Sequence, residues 1–286
     1  MRRALIVIAA ITVLYGILWS FPRTSIGEMF TASWCGPCNT AHQYLLDHYD
    51  EWADSAAVLR FHTSDALEIY GVGARESYYG TYYEMGYVPH MFIDGEDYTH
   101  DYTSWIHAFN LHAAAESYIG IEEAHHSADS ITIRVFMDEP EEEDDYRIMA
   151  VLTVNGLEAG GHSYHWVVQR IYTGATGNTF HLGYGDTVEF TYAFDLDPEW
   201  SPDSCIFVAY VIGPVLPYIQ NGFKTTLEPR PDYDFRVSAD KKKGLCSPGG
   251  SANFNIQVAN VGLETDYYNL TIVPVSMPSD WSAYMY

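Results

Sequence analysis

The sequence predicts an α/β domain, followed by an all-β sandwich and then a partial β segment. Three observations carry this expectation. Up to about residue 118, helically spaced apolar residues alternate with short apolar runs. Beyond Ile119 the helical spacing vanishes, and alternating or continuous apolar runs recur between turn signals. A proline-rich break at Glu228 to Asp232 (EPRPD) then sets off the last stretch.

The expected elements follow in chain order. Thr24 to Ala32 reads as a buried strand, and Pro37 to about Tyr49 as a helix with Ala41, Leu45, Leu46 and Tyr49 on its apolar face. Ala56 to His62 (AAVLRFH) is a second strand, and Ala74 to Met85 a second helix. Val88 to Ile93 enters a third strand that ends at the turn signal Asp94-Gly95. Tyr102 to Tyr118 has helical spacing. In the β region, strands are expected at Ser130 to Phe136, Tyr146 to Val154, Tyr164 to Tyr172, Thr187 to Phe194 and Cys205 to Ile212. Asn155-Gly156, Gly160-Gly161, Thr173-Gly174 and Gly183 to Gly185 separate them. The acidic run Asp138 to Asp145 is a solvated loop without the ligand spacing of a calcium loop. Past the linker at 229–233, residues 234–286 hold about four strands, short of the roughly seven of a sandwich. This segment is therefore expected to be truncated or to need a partner. The resulting division is 1–21, 22–120, 121–228, 229–233 and 234–286.

The N-terminus reads as a targeting segment: Arg2 and Arg3, then an uncharged apolar run from Ala4 to Phe21. No clear small-residue cleavage site follows, and the run is just long enough to span a bilayer. A signal peptide and an N-terminal anchor are both open readings, and either places the remainder outside the cytoplasm. Lysine and arginine number 14 against 38 aspartates and glutamates, a net charge of −24. That balance argues against a nucleic-acid partner, because phosphate binding needs a basic face. It fits a solvated acidic surface, with calcium binding as the sharper alternative.

The chemistry concentrates in Cys35-Gly36-Pro37-Cys38, at the junction of the first strand and first helix. A thiol at a helix N-terminus is acidified by unpaired backbone N–H groups and the helix dipole, and proline is tolerated in the first turn. Cys35 is thus the attacking thiolate and Cys38, one turn on, the resolving thiol. A zinc half-site is the competing reading of such a pair. It needs a second cysteine or histidine pair, which is lacking: Cys205 and Cys246 lie far downstream and His42 stands alone. No metal or cofactor is expected. A Cys205–Cys246 disulfide is left to geometry. His162 and His165 sit in a strand region facing opposite ways, and His125-His126 read as solvated residues at a domain junction.

FTASWCGPC followed by a helix, with VPHMFIDG further on, resembles the thioredoxin superfamily. The resemblance implies a cis peptide bond at Pro89, packed against the dithiol, with the Val88 backbone pairing with the substrate chain. It implies supporting roles for Trp34, Gly36 and Pro37. Val88 is apolar where threonine is often found, and oxidising relatives often carry valine, so the Gly-Pro pair alone does not set the direction of the redox chemistry. The buried aspartate that cytoplasmic relatives carry six residues before the first cysteine is Met29 here. Its neighbour Glu28 is the candidate proton acceptor, although strand alternation points it to the other face, and a salt-bridged or surface glutamate is the competing reading. His90 follows Pro89; a place near the thiols is one reading, and a surface-facing side chain is the preferred one. The pattern starts at the strand before the dithiol, without a leading strand and helix.

A minimal thioredoxin unit followed by a sandwich (His165 to Arg170, Asp195 to Trp200, Ile206 to Val211) resembles the family named for a twenty-eight-kilodalton outer-membrane protein. Residues 234–286 are similar to the first half of bacterial cell-surface Ig-like repeats. These resemblances imply an exported, envelope-associated thiol–disulfide oxidoreductase in the periplasm, at the outer membrane or on the cell surface. Its substrate would be a protein or small-molecule thiol or disulfide, and a membrane electron donor or an oxidant would complete the cycle. The alternative is a non-enzymatic surface binding protein that uses the thioredoxin-like head as an interaction module. A copper-handling dithiol is a third, weaker reading.

Overall fold

The computed structural model describes residues 21–138, 143–228, 235–239, 251, 256–260 and 267. The N-terminal apolar run up to Ser20 and Cys246 lie outside the described residues, as does most of 234–286. The chain divides between Glu228 and Pro229 into two compact units.

In the first unit, β1 (Ser25–Thr31) leads into α1 (Gly36–Asp47) and the short α2 (Tyr49–Trp52). Then come β2 (Ala56–His62), α3 (Val72–Tyr79), β3 (His90–Ile93), β4 (Glu96–Thr99) and α4 (Tyr102–Ala113). The helices are shorter than their apolar spacing predicts: α3 ends against Gly80 and α4 at Ala113. In β1 and β2 every residue is buried, which is why both read as continuous runs rather than alternations. They pair in parallel with Met29 opposite Arg60 and Thr31 opposite His62, and β3 pairs antiparallel on the other side of β1. The β3–β4 turn places Asp94 at φ 48° and Gly95 at φ 86°, the two left-handed positions that an Asp-Gly hairpin supplies. A Cβ at Gly95 would lie 2.3 Å from the carbonyl oxygen of Pro217, so only glycine fits that approach.

The β region contributes β5 (Ile119–His126), β6 (Ser130–Met137), β7 (Asp144–Val154), the small hairpin β8 (Leu157–Ala159) and β9 (His162–Tyr164), and β10 (Val167–Ile171). It continues with β11 (Asn178–Leu182), β12 (Thr187–Ala193), β13 (Cys205–Ile212) and β14 (Ile219–Thr226). Strands β5, β11 and β14 were not expected from the sequence. His126, expected to be solvated, is a buried β5 residue 8% exposed, because its side chain turns inward in that strand.

The helix-bearing and β-rich segments share one sheet. Among the described residues it has nine strands, ordered β14-β13-β7-β10-β2-β1-β3-β4, with β11 also paired to β7. The join is parallel pairing of β10 with β2 at Val167 and Arg60, sealed by the Arg60 N–H donating to the Trp166 carbonyl at 2.8 Å. The β12-β6-β5 sheet covers one face of β7 and β13, enclosing Ile131, Ile133, Val135, Ile148, Leu152 and Phe207. Their opposite face (Met149, Val151, Val208, Tyr210) packs with Ile26, Phe30, Leu59 and Tyr79 of the helix-bearing segment. β7 and β13 are thus buried on both faces. Two β layers pack face to face here, and one of them is an extension of the α/β sheet rather than part of a separate sandwich.

In the second unit, β15 (Phe235–Ala239) pairs antiparallel with β16 (Ile256–Asn260).

Candidate functional site

Cys35 is the N-cap of α1, with extended backbone (φ −91°, ψ 108°). Its sulfur accepts the backbone N–H of Cys38 at 3.1 Å, and Pro37 occupies the first turn. Cys35 and Cys38 are joined as a disulfide, with Cα atoms 5.2 Å apart. Helical periodicity aligns Cys38, Ala41, His42 and Leu45 as the buried face of α1, so Cys38 is 0% exposed and Cys35 6%. Trp34 stands 65% exposed, its indole N–H donating to the Ser64 carbonyl at 3.1 Å.

The Val88–Pro89 peptide bond is cis, and the Val88 carbonyl oxygen lies 3.5 Å from Cys35 Sγ. An open groove of about 290 Å³ runs from Pro37 past Val88 and Pro89 to Tyr87, His100 and Tyr102. This places Trp34, Pro37, Val88 and Pro89 around the sulfurs and leaves an apolar approach beside them.

His90 does not face the surface. It is fully buried, stacked between Tyr87 (centroids 4.8 Å) and Phe92 (4.7 Å), with Nε2 2.9 Å from Asp97 Oδ1. Glu28 lies on the sheet face opposite Met29. Its carboxylate accepts from Arg75 Nε (2.8 Å) and Nη2 (2.7 Å), from the Tyr210 hydroxyl (2.8 Å) and from the Tyr79 hydroxyl. Among the described residues none of its bonds comes from a cysteine. Cys205 is a buried β13 thiol, and burial raises its pKa.

What the sequence reading missed is a buried polar cluster under the dithiol helix. Arg60 and His62 share the β2 face that looks toward α1, because they are two residues apart on a strand. His42 follows Cys38 by one helical turn. Tyr164 enters from the β-rich segment: its ring stacks on His42 (centroids 5.6 Å), meets His62 edge-on (5.1 Å) and lies 4.9 Å from the Arg60 guanidinium carbon. Its hydroxyl donates to Asn39 Oδ1 at 2.9 Å and also lies 3.4 Å from the Ser33 carbonyl. His165 sits 5.8 Å from the His42 ring. So His42 does not stand alone, and the β9 end reaches α1. The signals were in the sequence: a charged residue inside the apolar run AAVLRFH, and a histidine four positions after Cys38.

The electrostatics follow from burial. Burial first, then the Arg60 charge, pushes the His42 imidazole down to about 2, so it is neutral at physiological pH. Burial also lowers His62 and His165, again helped by Arg60. Burial works against the Asp65 carboxylate, but hydrogen bonds from His62, Ser33 and Leu67 outweigh it and hold the pKa low. Arg60 is pushed down to about 9 by burial and remains a cation at pH 7.

This predicts a pH dependence of stability. The unfolded chain protonates His42 near 6.5 and the folded chain does not until about 2. Stability from this group is therefore complete above pH 6.5 and is lost as pH falls, by about 1.4 kcal/mol per unit. Urea melts of the protein and of His42→Phe at pH 7 and pH 5 are expected to show a shallower acid loss in the variant, by roughly 2 kcal/mol. Equal slopes would remove His42 as a contributor.

Among the described residues no group of three or more histidine, cysteine or acidic side chains is placed to hold a metal ion, and no helix is long and apolar enough to cross a membrane.

Comparisons with known proteins add fold information only. No protein-family model matches the sequence, and no curated protein matches it. Among solved structures, HBP35 of Porphyromonas gingivalis superposes with a TM-score of 0.64 at 16% identity, covering 84% of this chain and 85% of that one. Protein AGR_C_4864 from Agrobacterium tumefaciens gives 0.52 at 11% identity, covering 71% and 94%. A domain of the outer membrane lipoprotein Omp28 from Porphyromonas gingivalis gives 0.27 over 38% of this chain, too little to carry an argument. The shared fold with HBP35 spans most of both chains, so the mixed α/β, sheet-rich architecture recurs in that protein.

Proposed function

We propose that this chain is an extracytoplasmic thiol–disulfide oxidoreductase of thioredoxin type, with Cys35 attacking and Cys38 resolving. The observation that carries the reading is the placement of Cys35 as the N-cap of α1, beside Val88-Pro89, which together with Pro37 line an open apolar groove. That position stabilises a thiolate through the helix N-terminus, and it leaves Cys35 the more accessible of the two sulfurs. In the reduced enzyme the Cys35 thiolate attacks a substrate disulfide, forming a mixed disulfide and expelling one substrate thiolate. Cys38 then attacks Cys35 Sγ, which closes the Cys35–Cys38 bond and releases the second substrate thiolate. The substrate leaves with two electrons, and a thiol or membrane donor outside this chain restores the dithiol. Run in the opposite sense, the same steps oxidise a substrate dithiol. The groove favours an extended polypeptide with an apolar side chain near its cysteine. The basic and apolar N-terminal run supports export, and the acidic composition supports solvation there.

Reduction of insulin by dithiothreitol tests the proposal. Wild type is expected to accelerate it, and Cys35→Ser to fall to the uncatalysed rate. Equal rates for the two would leave the head as an interaction module without redox turnover. A redox titration then gives direction, since a potential near about −270 mV marks a reductant and one near about −120 mV an oxidant.

A further inference from the structure

We propose that Arg60 is a positioning residue for the redox couple: a buried cation beneath α1, clamped by Tyr164 of the β-rich segment, that stabilises the reduced, thiolate-bearing form of Cys35–Cys38. The inference deepens the oxidoreductase reading and rests on it for its meaning.

The geometry carries it. Arg60 is 0% exposed, and its register partner across the parallel pair is Met29, an apolar residue that brings no counter-charge. Its Nη2 donates to Thr31 Oγ1 at 3.4 Å, at the end of β1 and just before the dithiol loop. Among the described residues its Nε and Nη1 have no hydrogen-bond partner. The Tyr164 ring that covers it is tied to Asn39, the residue after Cys38, and His42 one turn further along α1 stacks on the same ring. The charge is thus held between the end of β1 and the first turns of the helix that carries both sulfurs.

The imidazoles around it bring no counter-charge, and Asp65 offsets it only in part. His42 on α1, His62 on β2 and His165 after β9 are imidazoles that Arg60 helps to keep neutral. The Asp65 charge does act on Arg60, but its hydrogen bonds go to His62 and the backbone of Ser33 and Leu67, and none goes to the guanidinium. A carboxylate in this position would take up a proton from a cysteine; a fixed cation instead favours the ionised sulfur. Reduction by glutathione breaks the Cys35–Cys38 bond and joins two glutathiones as a disulfide. Their two thiols supply two electrons and two protons, and the proton of whichever protein sulfur ionises passes to solvent. Stabilising that thiolate stabilises the reduced protein and makes its disulfide more oxidising.

Equilibration with glutathione, read by alkylation of the protein thiols, tests this on the full chain. Arg60→Met is expected to shift the equilibrium about tenfold toward the protein disulfide, a potential about 30 mV more negative. Arg60→Lys, which keeps the charge, is expected to recover most of the shift. Met29→Asp retains Arg60 but sets a carboxylate beside it, and is expected to move the potential in the same direction as Arg60→Met. In unaltered reduced protein the more acidic thiol is expected to ionise below about 8.5 by thiolate absorbance. Folded Arg60→Met or Met29→Asp within twofold of wild type would overturn the proposal, as would a first thiol ionisation at or above the free-cysteine value. The oxidoreductase reading fails separately, if wild type does not accelerate insulin reduction although its couple responds to Arg60.

Discussion

Arg75→Met is expected to lower the unfolding free energy by about 3–5 kcal/mol. Arg75 and Glu28 are both fully buried, and the guanidinium donates two bonds to the carboxylate, at 2.8 and 2.7 Å. It also donates to the Ala175 carbonyl at 3.1 Å and lies 4.6 Å and 4.9 Å from the Tyr78 and Tyr79 ring centroids. Removing the cation strands the Glu28 charge in an apolar layer, where it must stay desolvated or take up a proton. The pair also links three parts of the first unit: Glu28 on β1, Arg75 on α3 and Tyr210 on β13. The loss is therefore expected to be global in a urea melt rather than confined to α3. Glu28→Gln combined with Arg75→Met is expected to recover part of it, since no unpaired charge is then buried. A single variant within 1 kcal/mol of wild type would contradict this account.

The same residues show what could be read from the chain and what could not. The dithiol was legible because its chemistry is local: Cys35 caps α1, Pro37 opens it, and neither depends on distant sequence. The strands at Ala56–His62 and Cys205–Ile212 were legible from unbroken apolar runs. Their membership in one sheet was not, because the join is a single parallel contact, Val167 with Arg60, that leaves no local pattern. β11 escaped notice because only two of its five residues are buried, and β14 because Asn221 and Gly222 interrupt its apolar run. Both interruptions have structural causes. The Asn221 amide donates to the Pro22 and Ile119 carbonyls, and a Cβ at Gly222 would meet Ile26 at 2.5 Å. Strand alternation turns Glu28 away from Met29, but its partners lie far off in sequence, Arg75 and Tyr79 on α3 and Tyr210 on β13. Arg60, His42 and Tyr164 each looked ordinary alone, and only the fold brings them under the dithiol.

The proposed division of labour between the two sulfurs predicts the other large effect. Cys38→Ala is expected to turn a catalytic cycle into a single covalent event. Cys35, 6% exposed at the helix N-terminus, retains the features that favour attack, whereas Cys38 at 0% is reached by Cys35 rather than by a substrate. Without Cys38 the mixed disulfide between Cys35 and the substrate has lost its resolving thiol, so it is expected to persist until an external thiol arrives. Insulin turnover is expected to fall to the uncatalysed rate. Mixing the reduced variant with a disulfide-bonded polypeptide is expected to yield an adduct visible on a non-reducing gel and lost on adding dithiothreitol. With Cys205 and Cys246 replaced by serine in both variants, Cys35→Ser should give no such adduct, because Cys38 is fully buried. Adduct formation by Cys35→Ser and not by Cys38→Ala would reverse the assignment. Placing Tyr87, His100 and Tyr102 along the groove adds a further expectation to the same gel: substrates with an apolar side chain beside the reacting cysteine should be trapped faster than those with a charged one.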